Sequence, residues 1–410
     1  MSETPHTMKR LLDGLKVLDF TWAIAGPFVT KFLSDHGATV IKVENARRLD
    51  MIRTFQPYKD GKFGINRSGV WAAMNSGKYS LGLDMARPEA VGIAQRLAAW
   101  CDVLVENFAP GTMAKWGLTY DELRQVNDDI IMVSLSSMGQ TGPYAHYHGL
   151  GFHLQGFAGF NQVTGFPDRE PFGSIPYTDF VGGPFSLAAL MGALDRRRRT
   201  GQGLFIDLSQ IEAALHLLGP ALLDSAVNGR ETQRVGNRSH RAAPHAAYRC
   251  QGDDRWCVIA VFTDAQWRGF CRVLGDPPWT REAGFGTLLG RLARLEELDR
   301  RVEAWTLQHS PEEVMERMQA AGVPAGVVED GKDLAEDRQH EARHFYQQFD
   351  HAEIGSAVTR RSPVLYSDAD ASVPRGAPTL GQDTEFVLTQ VLGMSDEEWL
   401  ALLEAGVVGS

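Results

Sequence analysis

The sequence contains little cysteine and none of the patterns that accompany cysteine chemistry. Four cysteines occur in 410 residues, and no two of them form a CxxC pair. So few cysteines exclude a disulfide-built scaffold, and without the pair neither a zinc site nor a thioredoxin-like motif is indicated. Five histidines also lack an HxxxH or HxH arrangement beside a carboxylate, so we expect no bound metal: His146, His148, His216, His240 and His245.

Positive charge is scarce as well. The chain carries 41 Lys and Arg residues against 51 Asp and Glu residues, which gives a formal net charge of −10. A protein that binds nucleic acid through bulk charge needs a basic surface that neutralises phosphates. The charge balance excludes that class of protein, but it allows an anionic ligand held by a local cluster of Arg and Lys.

Long apolar runs are missing too. The N-terminal stretch has no apolar core of the kind found in signal peptides. The most apolar helix candidate, Phe185–Leu194, spans about ten residues, roughly half of what a bilayer requires. With 43% hydrophobic and 22% charged residues, the composition is that of a globular protein. We expect this protein to be cytoplasmic.

The sequence does contain a repeated strand–helix–strand pattern. Runs rich in β-branched residues at Lys16–Thr21 and Ala38–Glu44 flank an amphipathic segment of helix length, which indicates a βαβ unit and a parallel sheet. The pattern recurs with strand candidates at Asp102–Glu106, Ile130–Ser134 and Gly203–Leu208. We therefore predict an α/β protein with a Rossmann-like large domain built around a parallel sheet.

The organisation of the chain suggests a second, smaller domain, since 410 residues allow two or three domains. Residues 1–216 are predicted to form the N-terminal part of the large domain, and residues 217–244, of mixed polarity, a linker. A strand candidate followed by charge-rich helical sequence predicts a small α+β domain at 245–330. Residues 331–410 are predicted to be a return linker and the C-terminal part of the large domain, with a loop-rich stretch at 345–378.

The turn after the first strand does not favour a dinucleotide. An NAD site would need GxGxxG there, whereas the sequence runs through Ile24–Pro27 with a single glycine. Glu44 ends the second strand, where NAD enzymes carry a ribose-binding acid, but without the glycines a structural role is favoured. A free helix N-terminus near Gly26 would still suit an anionic ligand.

A second candidate segment, Asn107–Gly111, follows a buried-looking strand. It lies at the carboxyl end of that strand, where open α/β sheets bind ligands. An ordinary connecting turn is the alternative. Arg47, Arg48, Arg87 and Lys115 are the local cations that an anionic ligand would need, although a solvated surface charge is the favoured interpretation of each one taken singly.

Asp179 lies in the segment Tyr177–Gly183, directly before an apolar helix candidate. One interpretation is an N-cap, because a carboxylate accepts hydrogen bonds from the free N–H groups of a first helical turn. The other is a carboxylate nucleophile on a glycine-rich turn that lets a substrate approach closely. The residues alone leave both interpretations open.

Taken together, these segments resemble the class III CoA-transferases, the CaiB/BaiF family, which includes formyl-CoA:oxalate and carnitine CoA-transferases and the α-methylacyl-CoA racemases. The resemblance covers essentially the whole chain. It rests on the order and spacing of short motifs: Gly14–Asp19, Ala25–Pro27, Gly37–Glu44, Asn75–Asp84, Asp102–Gly111, Gly139–Pro143, Tyr177–Gly183 and Thr200–Gly203.

The resemblance implies an enzyme that moves CoA from an acyl-CoA donor to an acceptor carboxylic acid through anhydride and aspartyl-CoA thioester intermediates on Asp179. CoA and acyl-CoA are then substrates, with no permanently bound cofactor. An interlocked homodimer is implied, with the active site between the large domain of one chain and the small domain of the other. The residues expected to bind CoA are Ala25, Arg47, Leu83, Arg87, Asn107, Phe108 and Lys115.

The sequence departs from the oxalate-using members of the family at several places. Ile24 replaces a Gln, Asn45 replaces an Arg near the adenine end, and the stretch 239–243 has no glycine where those enzymes carry a glycine-rich loop. These changes predict an acyl pocket that is larger and less polar than one for oxalate or formate.

Two alternatives share the same fold. An acyl-CoA racemase or epimerase of this superfamily needs a His in a Gly-His-Asp motif, and the corresponding stretch, Gly149–Phe152, lacks it. A non-catalytic CoA-binding protein would have no role for a nucleophilic aspartate. Deuterium incorporation at the acyl α-carbon would indicate the racemase, and CoA binding without turnover would indicate the binding protein.

Overall fold

The computed structural model describes residues 9–173 and 175–409, which form two compact units. The first unit contains the chain up to Phe160, the segment Gly173–Arg230 and the chain from Ala342 onward. The second unit contains Asn161–Phe172 and Glu231–Glu341.

Eleven strands are found in the described residues, and six of them form one parallel sheet. The strands are β1 (Lys16–Asp19), β2 (Thr39–Glu44), β3 (Tyr79–Gly82), β4 (Val103–Glu106), β5 (Ile131–Ser136), β6 (Leu204–Ser209), β7 (His245–Arg249), β8 (Trp256–Ala260), β9 (Ala325–Val328), β10 (Tyr346–His351) and β11 (Gly355–Arg360). The parallel sheet has the order β3-β2-β1-β4-β5-β6, which is the order of doubly wound α/β proteins. The predicted α/β class and parallel sheet are confirmed.

The helices of the described residues connect and cover these strands. They are α1 (Ala25–Asp35), α2 (Gly69–Asn75), α3 (Pro88–Trp100), α4 (Thr112–Lys115), α5 (Tyr120–Leu123), α6 (Gly151–Phe157), α7 (Phe160–Val163), α8 (Tyr177–Thr200), α9 (Gln210–Leu215), α10 (Gly219–Asn228), α11 (Asp264–Val273), α12 (Leu288–Ala293), α13 (Leu295–Thr306), α14 (Pro311–Ala320), α15 (Gly331–Glu336), α16 (Arg338–Ala342), α17 (Thr384–Phe386) and α18 (Asp396–Glu404). Short 3-10 segments occur at Met51–Thr54, Lys59–Gly61, His216–Leu218 and Pro278–Arg281, and a π-helical turn at Val387–Val391. The expected linker at 217–244 thus contains α10.

The parallel sheet is buried on both faces, as its apolar strand sequences require. Leu18 and Leu104 point toward α3, and Val17 and Val103 point toward α1 and α8. All four side chains are fully buried. Val387 and three other apolar residues from the C-terminal part of the chain complete the α3 face. The C-terminal segment is therefore part of the first unit's core.

The second unit has its own hydrophobic core. Its three-stranded antiparallel sheet has the order β7-β8-β9. Phe270 of α11, Val302 of α13 and Met318 of α14 are fully buried against this sheet. Helix α11 starts with a capping box in which Thr263 and Gln266 satisfy free N–H groups reciprocally.

The stretch 345–378, predicted to be loop-rich, also contains the antiparallel hairpin of β10 and β11; half of the residues in these strands are exposed, which obscures the alternation of buried residues. One local prediction is wrong. The segment Tyr177–Gly183 is not a turn but the start of α8. Its last glycine faces a neighbouring side chain, since a Cβ at Gly183 would lie 2.6 Å from Phe28 Cδ1. This glycine serves close helix packing.

In the described part of the chain, no helix is both long enough and apolar enough to cross a membrane.

Candidate active site

Two adjoining clefts open at the carboxyl edge of the parallel sheet. The strand order reverses between β1 and β4, and a crevice at such a reversal is where doubly wound proteins bind ligands. Phe108, Ala109 and His148 line both clefts, so the two form one continuous depression. Sequence and topology together therefore place a ligand site beside the segment that follows β4.

The first, called here the apolar cleft, has a volume of about 400 Å³. Its wall is mainly aromatic and aliphatic, with Phe20, Trp22, Val43, Leu83, Met85, Phe108 and Trp116. The Trp22 and Phe108 rings meet edge to face with centroids 5.6 Å apart, and the guanidinium of Arg48 lies 5.3 Å from the Trp22 ring centroid. An apolar wall with a cation beside an aromatic ring suits a flat, anionic organic ligand.

The second, called here the polar cleft, has a volume of about 530 Å³. It is lined by Asn107, Ser136, Ser137, His148 and His153 among other residues. The Ser136 hydroxyl is buried and has no hydrogen-bond partner in the part of the chain that the structure describes. Because a buried polar group without a partner is costly, this hydroxyl is available to a ligand.

Asn107 braces the loop that follows β1. Its Nδ2 donates to the Trp22 carbonyl at 2.9 Å, and its Oδ1 accepts from the Trp22 N–H at 2.7 Å. Both polar atoms of the Asn107 side chain thus form hydrogen bonds with the backbone of Trp22. Asn107 lines the polar cleft while it fixes a wall residue of the apolar cleft.

Asn45 organises the turn after β2. Its Nδ2 donates to Asp84 Oδ1 at 2.8 Å, and its Oδ1 accepts from the Arg47 N–H at 2.8 Å. The Arg47 guanidinium lies 3.4 Å from Asp84 Oδ2, yet 67% of the Arg47 side chain is exposed. Arg47 is therefore oriented by its neighbours and still accessible to an anion.

The guanidinium of Arg87 lies close to that of Arg47. A Cβ on Gly406 would be 3.6 Å from Arg47 Nη2 and 3.9 Å from Arg87 Nη2. Arg87 Nε is buried and has no hydrogen-bond partner among the described residues. Two neighbouring guanidiniums with free donors form a suitable place for a phosphate. Lys115, in contrast, is exposed at the end of α4.

Asp179 lies in the first turn of α8, where it is not the N-cap residue; that position belongs to Pro176. Among the described residues, none donates a hydrogen bond to the Asp179 carboxylate. Burial raises the pKa of Asp179 to about 6, which still leaves the group ionised at neutral pH. An ionised carboxylate without a hydrogen-bonding or cationic partner is more nucleophilic than a paired one.

The surroundings of Asp179 leave little space. Gly151, the first residue of α6, is so close that a Cβ there would lie 2.7 Å from Asp179 Oδ2. The next residue, Phe180, meets the Phe28 ring edge to face with centroids 6.0 Å apart. Phe180 and Ile24 also pack against the same buried cluster around Trp71. The residue that follows Asp179 is therefore packed among hydrophobic side chains.

A second carboxyl group with a perturbed pKa supports the ligand-binding segment. Burial raises the pKa of Glu106 to about 7, although hydrogen bonds from Ser134 and from the Phe108 N–H oppose the shift. The Phe108 N–H lies 2.7 Å from Glu106 Oε2. Glu106 therefore helps to fix Phe108, which lines both clefts.

Comparison with known proteins identifies the chain. The family described as CoA-transferase family III matches residues 12–384. The chain belongs to this family. The resemblance inferred from its motifs is confirmed, and the protein is an enzyme that transfers CoA between acyl-CoA and carboxylic acids.

Named members of the family are similar over almost their full length. The transferase is 31% identical over 397 residues to succinyl-CoA–D-citramalate CoA-transferase of Chloroflexus aurantiacus, covering 97% of each chain. It is 30% identical to succinate–glutarate CoA-transferase of Agrobacterium fabrum, with 95% of this chain and 98% of the relative covered. The crystal structure of a CaiB/BaiF family protein from Brucella suis has a TM-score of 0.85 and 31% identity, covering 93% of this chain and 100% of that one.

The structure brings some of the transferase's predicted site residues together and leaves others apart. Leu83 and Phe108 share the apolar cleft, Asn107 lies in the polar cleft, and Arg47 and Arg87 form a pair. The residues that line the two clefts include neither Ala25 nor Lys115. Their part in CoA binding stays a prediction, as does that of the others.

Arg48, a candidate cation from the sequence, lines the apolar cleft, whereas Trp22 and His148 are residues of the same cleft that were not predicted from the sequence. Trp22 follows β1 almost directly, so its place at the carboxyl edge of the sheet is a signal that the sequence offers. No comparable signal marks His148, because its position depends on the path of a long loop. Glu44, considered for a ribose, instead pairs with Arg53 at 2.8 Å.

Proposed function

We propose that this transferase works by covalent catalysis with Asp179 as the nucleophile. The observation that carries the proposal is the Asp179 carboxylate itself, which is partly buried, has a pKa raised to about 6 and receives no hydrogen bond from the described residues. Phe180, the residue after Asp179, packs against a buried hydrophobic cluster, and such a surface would help to keep water from a reactive acyl intermediate.

The first half of the reaction consumes the donor. An Asp179 oxygen attacks the thioester carbonyl carbon of the acyl-CoA, the C–S bond breaks, and CoA leaves as a thiolate. The product on the enzyme is a mixed anhydride. The thiolate then attacks the Asp179 carbonyl carbon, the C–O bond to the donor acyl group breaks, and the donor acid leaves as a carboxylate. CoA is now held as an aspartyl thioester.

The second half runs the same steps in reverse with the acceptor. The acceptor carboxylate attacks the aspartyl thioester, and the C–S bond breaks to give a new mixed anhydride and CoA thiolate. The thiolate attacks the acceptor carbonyl carbon, and the C–O bond to Asp179 breaks. The new acyl-CoA leaves and the Asp179 carboxylate is regenerated, so no net bond energy is lost to hydrolysis.

The two clefts and the cations beside them are proposed to hold CoA. Leu83 and Phe108 offer apolar contacts and Asn107 polar ones, while Ala25 is assigned to the thioester end. Arg47 and Arg87 are the phosphate ligands best supported, because their guanidiniums converge beside Gly406. With Lys115 they offset a chain whose overall charge of −10 repels an anionic substrate.

Replacing either Arg47 or Arg87 with Gln should raise the KM for acyl-CoA about tenfold and change kcat little, because a charge-assisted hydrogen bond to phosphate is lost. Steady-state kinetics with acyl-CoA and with the phosphate-free acyl-pantetheine would measure this. The pantetheine substrate should show no such increase. Arg124→Gln, at an exposed arginine after α5, is the matched control. An equal loss with both substrates would contradict the assignment.

The acyl group is proposed to be larger than oxalate. Ile24 brings an apolar side chain to the turn before α1, and it packs near Phe180 rather than offering a polar group. The relatives' names specify succinyl-CoA with D-citramalate and succinate with glutarate. We propose succinyl-CoA as the first donor to test, together with a panel of dicarboxylic, branched and aromatic acids as acceptors.

The transferase is further proposed to act as an interlocked homodimer. Large apolar side chains on α6 and α10 are more than half exposed: Phe152, Phe157, Leu222, Leu223 and Val227. Exposure on this scale is typical of a surface that another chain covers. Sedimentation analysis should give twice the 45.2 kDa chain mass, and a monomer at micromolar concentration would contradict the dimer.

Mass spectrometry tests the covalent mechanism directly. The enzyme is incubated with succinyl-CoA alone, quenched in acid and digested, and the peptide that contains Asp179 is examined for an added CoA. A CoA thioester on Asp179 is expected, and Asp179→Ala should carry none. Deuterium exchange at the acyl α-carbon without transfer of CoA between acids would instead support racemase chemistry.

A further inference from the structure

The loop that joins β1 to α1 is held at three consecutive residues. Lys42 Nζ donates to the Thr21 carbonyl. The Asn107 side chain forms hydrogen bonds with both the N–H and the carbonyl of Trp22. Asp50 Oδ1 accepts from the Ala23 N–H at 3.0 Å. The three side chains that hold this loop come from separate parts of the chain, so the conformation of the loop is fixed by tertiary contacts.

Ala23 adopts a backbone conformation that alanine avoids. Its φ is 60°, which lies in the left-handed region where Cβ crowds the following carbonyl. Such a residue keeps this conformation only when its surroundings impose it. Ala23 packs against the buried cluster around Trp71, and its N–H donates to Asp50 Oδ1, which also accepts from the Ile52 N–H at 3.2 Å.

Asp50 is isolated from solvent and from both clefts. Its side chain and that of Lys42 are fully buried, with Lys42 Nζ 3.5 Å from Asp50 Oδ2. Neither residue lines the apolar or the polar cleft. Any effect of Asp50 on CoA must therefore pass through the loop, whose Trp22 side chain does line the apolar cleft.

We propose that Asp50 is a positioning residue of the CoA site. It holds Ala23 in the left-handed conformation, so that Trp22 faces the apolar cleft and α1 begins at Ala25. The inference rests on the proposed function, since it takes the apolar cleft to be a CoA site. Lys42 supports the arrangement by pairing with Asp50 and by holding Thr21.

Kinetics and rescue test the role of Asp50. Asp50→Ala should raise the KM for acyl-CoA about tenfold and change kcat less than about threefold. Adding Ala23→Gly to this variant should restore the KM to within about threefold of the unmodified enzyme, because glycine adopts a positive φ without the Cβ penalty. Ala23→Gly alone is the reference for the double variant. A purely structural role of Asp50 would not be repaired by a glycine.

Asp50→Asn covers the case in which Asp50→Ala does not fold. The amide keeps an oxygen that can accept from Ala23, so the KM should stay within about threefold while the melting temperature falls. Asp35→Ala, which removes the carboxylate of another buried pair with Lys31 at 2.7 Å, is the matched control and should leave the KM unchanged.

The outcomes separate this inference from the proposed function. Provided that the unmodified enzyme forms its Asp179 adduct, any one of three results would overturn the positioning role. These results are an unchanged KM in Asp50→Ala, no recovery of the KM on adding Ala23→Gly, and an Asp50→Asn variant as impaired as Asp50→Ala. If the unmodified enzyme itself forms no adduct, the proposed function fails. Calorimetric titration with CoA then still reports whether Asp50 acts on the cleft.

Discussion

Asp179→Asn should lower kcat for CoA transfer by about three orders of magnitude or more, because a neutral amide cannot form the anhydride of the proposed mechanism. Asp179 does not line either cleft, so the affinity for CoA should change less than about threefold. Chromatographic detection of CoA exchange between succinyl-CoA and an acceptor acid measures kcat, and calorimetry with CoA measures binding.

The control for this variant lies on the same helix. Asp195→Asn removes an exposed carboxylate near the end of α8, where it pairs with Arg198 and Arg199, and it should keep normal turnover. Near-normal transfer by Asp179→Asn would contradict covalent catalysis by this residue. Loss of CoA binding in parallel with kcat would point to a disturbed fold.

The raised pKa of Asp179 adds a pH signature. Only the ionised carboxylate is a nucleophile, so transfer of the acyl group to the enzyme should fall about tenfold per pH unit below the pKa of about 6. Because burial raises this pKa, ionisation of Asp179 destabilises the folded state as the pH rises toward 6. Asp179→Asn should therefore melt at a higher temperature than the unmodified enzyme at pH 7. Glu106→Gln, which removes the other perturbed carboxyl, should keep the inflection near pH 6.

The parallel sheet is predictable from the sequence because its signal is local. Strands such as β4 and β5 are buried on both faces, and such strands must be short, continuous apolar runs. The segments between them have helix length and periodicity, so the βαβ connection follows. The β10–β11 hairpin has no such signal, since half of its strand residues are exposed and only two are buried.

Individual residues of the candidate site can be predicted from the sequence, but their arrangement in space cannot. The residues after β1 and β4 can be assigned to the ligand edge because the carboxyl ends of parallel strands meet there. What cannot be predicted is their pairing in space. Asn107 is recognisable as a candidate site residue, but its hydrogen bonds to Trp22 join two segments more than 80 residues apart. Arg47 and Arg87 converge beside Gly406, a residue of the C-terminal segment that is more than 300 positions away in the sequence.

Gly151 shows the same dependence on tertiary structure beside Asp179, the proposed nucleophile, and its replacement is the second large effect to expect. Nothing in the sequence around it indicates contact with Asp179, yet a Cβ at Gly151 would lie 2.7 Å from Asp179 Oδ2 and 2.3 Å from Pro176 Cβ. Gly151→Ala must therefore displace the carboxylate or the start of α8. A shift of about 1 Å at a reacting group costs about a hundredfold in rate.

We expect kcat of Gly151→Ala to fall by about that factor, whereas CoA affinity should change less than about threefold, because Gly151 lines neither cleft. Gly192→Ala, at an α8 position with open space around the added methyl, is the matched control and should keep normal kcat. The Asp179 adduct seen by mass spectrometry should form correspondingly slowly in Gly151→Ala. Normal kcat in this variant would mean that the carboxylate reacts from a position that the Gly151 backbone does not constrain, and the geometry assigned to the nucleophile would be wrong.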